Sequence, residues 1–290
     1  MKFKLKPGIK LNYEHGSTLR LSKNTITDEL AQKFLKKHPH YIKYFAQVPF
    51  WYHIPGKYLP SNFFKLGVII PTLRERPELL KFVLKRISEQ TRIADEILIV
   101  DYPNVTDKAD IAKRYKEGLQ QLFDRGCELV AMIEDDDYYP ITYLEELSTH
   151  YIRKGRPDLI GSKYTVYYHI ISGQHLKVDP KHCSAFCTAV GRNAKIDVCD
   201  DYEAYYDVKI WQQNKGVQVV FDKMPIGIKH GIGRCGGGGH KGSQWYQKID
   251  RSGEYLKSIT DPEAYEIYNK YRTASVQAKP NIASCPEGVE

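Results

Sequence analysis

No apolar run in the sequence is long enough to cross a membrane. The longest, such as Leu66–Ile70 and Ile97–Val100, fall far short of the roughly 20 residues a spanning helix needs. No apolar core follows the basic residues of Met1–Lys10, which argues against a secretory signal and leads us to expect a soluble, cytoplasmic chain. Cysteine is sparse: Cys127, Cys183, Cys187, Cys199, Cys235 and Cys285 lack the CxxC spacing of a zinc site, so free thiols are expected. A site built from His182, Cys183, Cys187 and Cys199 stands as the alternative. Neither sign of charge dominates. With 43 Lys+Arg against 35 Asp+Glu, and 12% aromatic residues, wholesale disorder is excluded. A chain of 290 residues buries about three quarters of its unfolded surface, so it needs neither disulfide nor metal to fold. The net charge of +8 suits phosphate-bearing ligands, whether nucleotide, nucleic acid or anionic surface, and is equally compatible with ordinary solubilising charge.

Residues 1–62 read as an N-terminal extension. Asn24–His38 is expected to form one helix, capped by Thr27, with Asp28 and Glu29 at its positive end and Lys36 and Lys37 at its negative end. Leu30, Phe34 and Leu35 form its apolar stripe. Pro49, Pro55 and Pro60 then interrupt an aromatic stretch, the pattern of a linker. From Leu66 strands and helices alternate. Leu66–Pro71, Glu96–Val100 and Glu128–Ile133 read as buried strands; Pro77–Gln90 and Asp107–Arg125 read as helices. That order predicts an α/β domain over residues 63–250, with a mostly parallel sheet flanked by helices. Ligands of such sheets bind beyond the carboxyl ends of the strands, here Pro71–Arg76, Asp101–Tyr102 and Glu134–Tyr139. Further on, a hairpin is expected around Ser172-Gly173-Gln174, a helix over Asp200–Asn214, and strands at Val217–Phe221 and Ile226–His230. Residues 251–290 predict one helix and a loose tail.

The strongest chemical signal is Glu134-Asp135-Asp136-Asp137-Tyr138-Tyr139-Pro140. Four consecutive carboxylates repel one another unless solvent or a cation relieves them. A solvated acidic turn would do so, but a strand's carboxyl end is where a parallel sheet gathers its ligands. Mg²⁺ or Mn²⁺ prefers carboxylate oxygens and completes its shell with substrate phosphates. Together with Val68-Ile-Ile-Pro-Thr72, Arg76-Pro77 and Glu96-Ile-Leu-Ile-Val-Asp101, this segment resembles the family 2-like glycosyltransferases of the GT-A fold, whose sheet is Rossmann-like. The likeness spans about residues 65–232. It implies that Pro71, Thr72, Arg76 and Asp101 face the base and ribose of a nucleoside-diphosphate sugar, a UDP-sugar being favoured. Glu134-Asp135-Asp136 would be the family's DxD, with Asp136 the direct metal ligand and Asp135 and Asp137 as close alternatives. Glu134 departs from the motif at its first position.

The same resemblance makes the acids of Cys199-Asp200-Asp201-Tyr202-Glu203 the source of a general base, Asp201 ahead of Asp200 and Glu203; otherwise they are first-turn acids of a helix. His230 resembles the family's late histidine ligand. Six glycines follow it within residues 231–239, a loop able to approach phosphate closely, with Lys229, Arg234 and Lys241 as clamps; a basic linker is the alternative. His182 and Ser184 fall where the family lines its acceptor site. The implied reaction is inverting transfer of a sugar to an acceptor hydroxyl. Two other classes are weighed: a nucleotidyltransferase, disfavoured because Pro71–Arg76 has no glycine, and a non-catalytic nucleic-acid or carbohydrate binding module. The phrase Thr27-Asp-Glu-Leu-Ala31 is similar to small phage structural and accessory proteins, which with the basic charge makes a hydroxylated DNA base one possible acceptor beside a glycan.

Overall fold

The computed structural model describes residues 64–103, 108–230 and 248–277, together with five short strands within residues 2–48. The chain divides into two compact units, Met1–Phe64 and Lys65–Glu290.

In the first unit, β1 (Lys2–Leu5) pairs antiparallel with β4 (Thr25–Ile26) and with β5 (Phe45–Val48), while β2 (Leu11–Tyr13) and β3 (Ser17–Leu19) pair with each other. The expected helix therefore does not begin at residue 24. The β-branched pair Thr25–Ile26 is extended against Phe3 and Lys4, as stiff χ1 angles favour. Residues 27–38 and the proline-rich stretch lie outside the described residues.

The second unit is α/β. Its larger sheet is built from β6 (Leu66–Pro71), β7 (Glu96–Val100), β8 (Leu129–Met132), β9 (Leu159–Ser162), β12 (Thr188–Gly191) and β13 (Gly216–Val219). The strand order is β13-β9-β12-β8-β6-β7. β6 lies parallel to β7 and β8, and β13 parallel to β9, but β12 runs antiparallel to both its neighbours. The sheet is thus mixed. β6 and β8 are buried throughout, as their continuous apolar runs predict. β7 was expected to be buried too, yet it is the sheet's edge strand, and Ile97 is 42% exposed.

Two helices flank the parallel half. α1 (Pro77–Ser88) starts with proline in its first turn and buries Leu79, Leu80, Val83 and Ile87. α2 (Ile111–Asp124) buries Tyr115, Leu119 and Leu122 against β6, β7 and β8. α3 (Tyr143–Arg153) follows the acidic segment and packs on β9.

The smaller sheet contains the hairpin β10 (Thr165–His169) and β11 (Gln174–Val178), with β14 (Ile226–Lys229) parallel to β10 and β15 (Lys248–Ile249) antiparallel to β11. Between β12 and β13, α4 (Tyr206–Gln213) begins six residues later than the helix expected from Asp200. Two helices close the described chain, α5 (Glu254–Ile259) and α6 (Pro262–Gln277), where one was expected. They form no separate appendage: Leu256, Ala264 and Tyr268 are buried with Phe82, Tyr138, Tyr168 and Ile228 in one core.

Candidate functional site

β6, β7 and β8 are mutually parallel, so Thr72, Asp101 and Glu134 leave the sheet at one edge. Arg114 of α2 holds that edge together. Its guanidinium donates to the carbonyls of Thr72 (3.0 Å), Val100 (3.0 Å) and Tyr102 (2.7 Å), and twice to Asp110 (3.0 and 2.9 Å). All five of its N–H donors are thereby used.

The acidic segment runs from β8 beneath β14. A bridge between Tyr138 and Ile226 fastens it, and the Ile228 N–H donates to Asp137 Oδ1 (2.6 Å). The Tyr268 hydroxyl of α6 donates to the Asp136 carbonyl (3.3 Å), and the Glu134 N–H donates to Tyr139 Oη (2.9 Å). Asp135, Asp136 and Asp137 are all buried. Their partners differ. Asp135 turns to β6, accepting from Thr72 Oγ1 (2.5 Å) and from Arg76 Nη2 (2.6 Å). Asp136 accepts from Arg76 Nη1 (2.7 Å) and lies 2.7 Å from His230 Nε2. Lys229 is buried nearby, 5.0 Å above the Tyr167 ring.

Among the described residues, four carboxyl groups here face two cations, Arg76 and Lys229. Burial pushes the Glu134 carboxyl up to about 7 and the Asp137 carboxyl well above its ordinary value, the charge of Asp136 adding to both. Burial and Asp136 raise Asp135 as well. Burial would also raise Asp136, but the His230 hydrogen bond and the charges of Arg76 and Lys229 outweigh it and hold that carboxyl below its ordinary value. For Lys229 burial is overcome by Asp137 and Glu134, which raise the ammonium's pKa. Burial thus shifts Glu134 and Asp137 toward their protonated forms, and a further cation would favour their charged forms.

The residues fit such a cation. Carboxylate oxygens of Glu134, Asp136 and Asp137 lie within 4.8 Å of one another, and Asp137 Oδ2 is buried without a hydrogen-bond partner among the described residues. This trio of hard oxygen donors matches Mg²⁺ or Mn²⁺. Of the three aspartates it contains Asp136 and Asp137, while Asp135 is bound elsewhere. His230 touches Asp136 but is not one of the trio. His182, Cys183, Cys187 and Cys199 are not brought together as ligands; those three cysteines and Cys127 are free thiols.

Beside the acids lies a cavity of about 260 Å³. Pro71, Thr72, Arg76, Glu134, Asp135, Asp136 and Lys229 line it, so seven of the expected site residues meet there. Ser184 lines it as well, bonded to the Tyr167 hydroxyl (2.6 Å). Arg76 is tied to Asp135 and Asp136 and so is not left to face a base. Asp101 is not in the lining; it pairs with Arg74 in solvent. Asp200, Asp201 and Glu203 line a second, open depression, where Lys116 holds Asp201 (2.5 Å) and Asp197 (3.2 Å). From the same stretch of chain it is Asp207, not foreseen from the sequence, that lines the cavity. The late start of α4 puts Asp207, not Asp200 or Asp201, in its first turn. Burial raises its pKa against the opposing charge of His182. Arg234 and Lys241 lie outside the described residues.

No protein-family model matches the chain, and no curated protein matches it.

Proposed function

We propose that the protein is a metal-dependent glycosyltransferase of GT-A type that moves a sugar from a nucleoside-diphosphate sugar, a UDP-sugar being favoured, to an acceptor hydroxyl with inversion. The observation that carries this reading is the trio Glu134, Asp136 and Asp137, placed at the carboxyl edge of parallel strands beside a cavity and left with an unpartnered buried oxygen. When bound, Mn²⁺ or Mg²⁺ supplies charge stabilisation to the departing diphosphate. Lys229, fixed by burial beside the acids, adds a positive charge that needs no reorganisation as negative charge develops. Thr72 and Arg76 fix Asp135 and Asp136, so that the carboxylates are oriented before substrate binds. Asp207 takes the role expected of Asp201. Partial burial raises its affinity for a proton, which suits a group that must accept one from the attacking hydroxyl.

The test is a thermal-shift panel of nucleoside diphosphate sugars with and without Mn²⁺, followed by donor hydrolysis. One sugar nucleotide is expected to raise the melting temperature only with the metal present. Asp136→Ala is expected to lower donor turnover at least about 100-fold. Turnover at the parent rate in that variant, or a panel without any metal-dependent shift, overturns the assignment.

A further inference from the structure

One polar group on the cavity wall is left over by this reading. Tyr115, on α2, lines the cavity and is fully buried, yet its hydroxyl has no hydrogen-bond partner among the described residues. Its ring is held by stacking on Tyr206, with centroids 5.6 Å apart and planes within 17°, so the hydroxyl is set by packing. A buried hydroxyl without a partner is unfavourable in the free protein, and an atom supplied by a ligand removes the penalty.

We infer that Tyr115 is a specificity residue whose hydroxyl donates a hydrogen bond to a ring hydroxyl of a bound sugar, in a subsite flanked by Glu134 and Asp207. The subsite deepens the glycosyltransferase reading and rests on it. The chemistry selects a hydroxyl over other groups. The charges that act most on the Tyr115 hydroxyl are those of Glu134 and Asp207. A phenol donates, whereas carboxylates accept, so the complementary group must both accept and donate. A sugar hydroxyl does both. A phosphate oxygen only accepts, and its charge is repelled by Asp207. The remaining wall carries Tyr167, Phe186, Tyr205 and Tyr206, whose ring faces suit the C–H face of a pyranose or furanose.

Tyr115→Phe tests the subsite, since it removes the unpartnered oxygen and nothing else. Binding is measured by titration calorimetry with Mn²⁺, using the glucose adducts of UDP, GDP, ADP, CDP and dTDP. The best-binding nucleotide is then compared as sugar nucleotide, as free diphosphate and as 2′-deoxy diphosphate. We expect Tyr115→Phe to bind the sugar nucleotide about tenfold more weakly while its ligand-free melting temperature does not fall. Loss confined to the sugar nucleotide places the transferred sugar at Tyr115. Loss shared by the free diphosphate and absent from its 2′-deoxy form places the ribose there. Either supports the subsite. Deoxy-sugar analogues complete the cycle: one lacking the recognised hydroxyl binds parent and Tyr115→Phe alike. Parent-like affinity of Tyr115→Phe for the full sugar nucleotide removes the subsite and leaves the glycosyltransferase reading standing. Equal weakening of the diphosphate and its 2′-deoxy form assigns the hydroxyl to phosphate and also removes it. If no sugar nucleotide binds the parent, both fall together.

Discussion

Arg114 and the exposed pair Arg74–Asp101 show how far burial changes the worth of one ion pair. Arg74 and Asp101 meet in solvent, with side chains 61% and 38% exposed, where such a pair contributes about 0–1 kcal/mol. Arg114 is 2% exposed and joins the ends of two strands to its own helix. Arg114→Met leaves the buried Asp110 carboxyl and the strand-end carbonyls without these donors. We expect it to cost about 3–5 kcal/mol, read as a lower urea midpoint, while Arg74→Met changes the midpoint little. His150 offers a residue-scale pH effect. Its ring packs edge-on against Phe221 (5.8 Å), and burial, then the charges of Arg153 and Lys154, hold its pKa below 6.5. The unfolded chain takes up a proton near pH 6.5 while the folded one resists, so this histidine's contribution is intact above that pH and is lost as pH falls through the depressed folded value. The stability gap between the parent and His150→Gln should therefore narrow on going from pH 7.5 to pH 5.5; a gap independent of pH refutes the account.

Among the elements, the β10–β11 hairpin depends most on one position. Gly173 has φ +68°, and a Cβ there would collide with the Asp250 carbonyl. Asp250 in turn accepts from the Gly253 and Leu256 N–H groups (2.8 and 3.0 Å) and from the Tyr168 hydroxyl (3.1 Å), fastening α5 to the hairpin. Gly155 has a similar φ of +77° but nothing within 4 Å of a Cβ. Gly155→Ala therefore measures backbone strain alone, about 1–3 kcal/mol. Gly173→Ala should cost more than that in urea unfolding, and equal costs would show that the close approach is unimportant. This hairpin was legible in the sequence, because Ser172-Gly173-Gln174 sits between β-branched and aromatic arms. β9 and β12 were not. Leu-Ile-Gly-Ser and Thr-Ala-Val-Gly are four residues long and half small, so they carry too little periodicity to mark a strand; pairing with neighbours makes them one. α4 was misplaced for a related reason: acids from Asp200 onward suit a helix start, but the apolar contacts that fix the helix begin at Tyr206.

For the molecule as a whole, α6 carries more than its place at the end of the chain suggests. Tyr268 meets Phe82 edge-to-face at 5.8 Å and reaches the Asp136 carbonyl, while Asp261 at the helix start accepts from Arg86 and from the Tyr138 hydroxyl (3.1 Å). Ending the chain after Asp261 strips this cover from one core and from the acidic segment at once. We expect a loss of at least about 3 kcal/mol, comparable to truncating one buried aromatic, together with dye binding to newly exposed apolar surface. A truncated chain with the parent's melting temperature would show that α6 is dispensable.

The sequence by itself determined the alternating elements from Leu66 to Ile133 and the position of four acids after β8, because hydrophobic periodicity and strand termination are properties of neighbouring residues. It could not decide which acids act together. Asp135 is taken by Thr72 and Arg76, Asp137 is drawn under Ile228, and Asp136 is shared by Arg76 and His230, through contacts between residues 59 to 94 positions apart. Those contacts, with the burial that shifts each carboxyl differently, arise only when two sheets and the last helix pack around one segment.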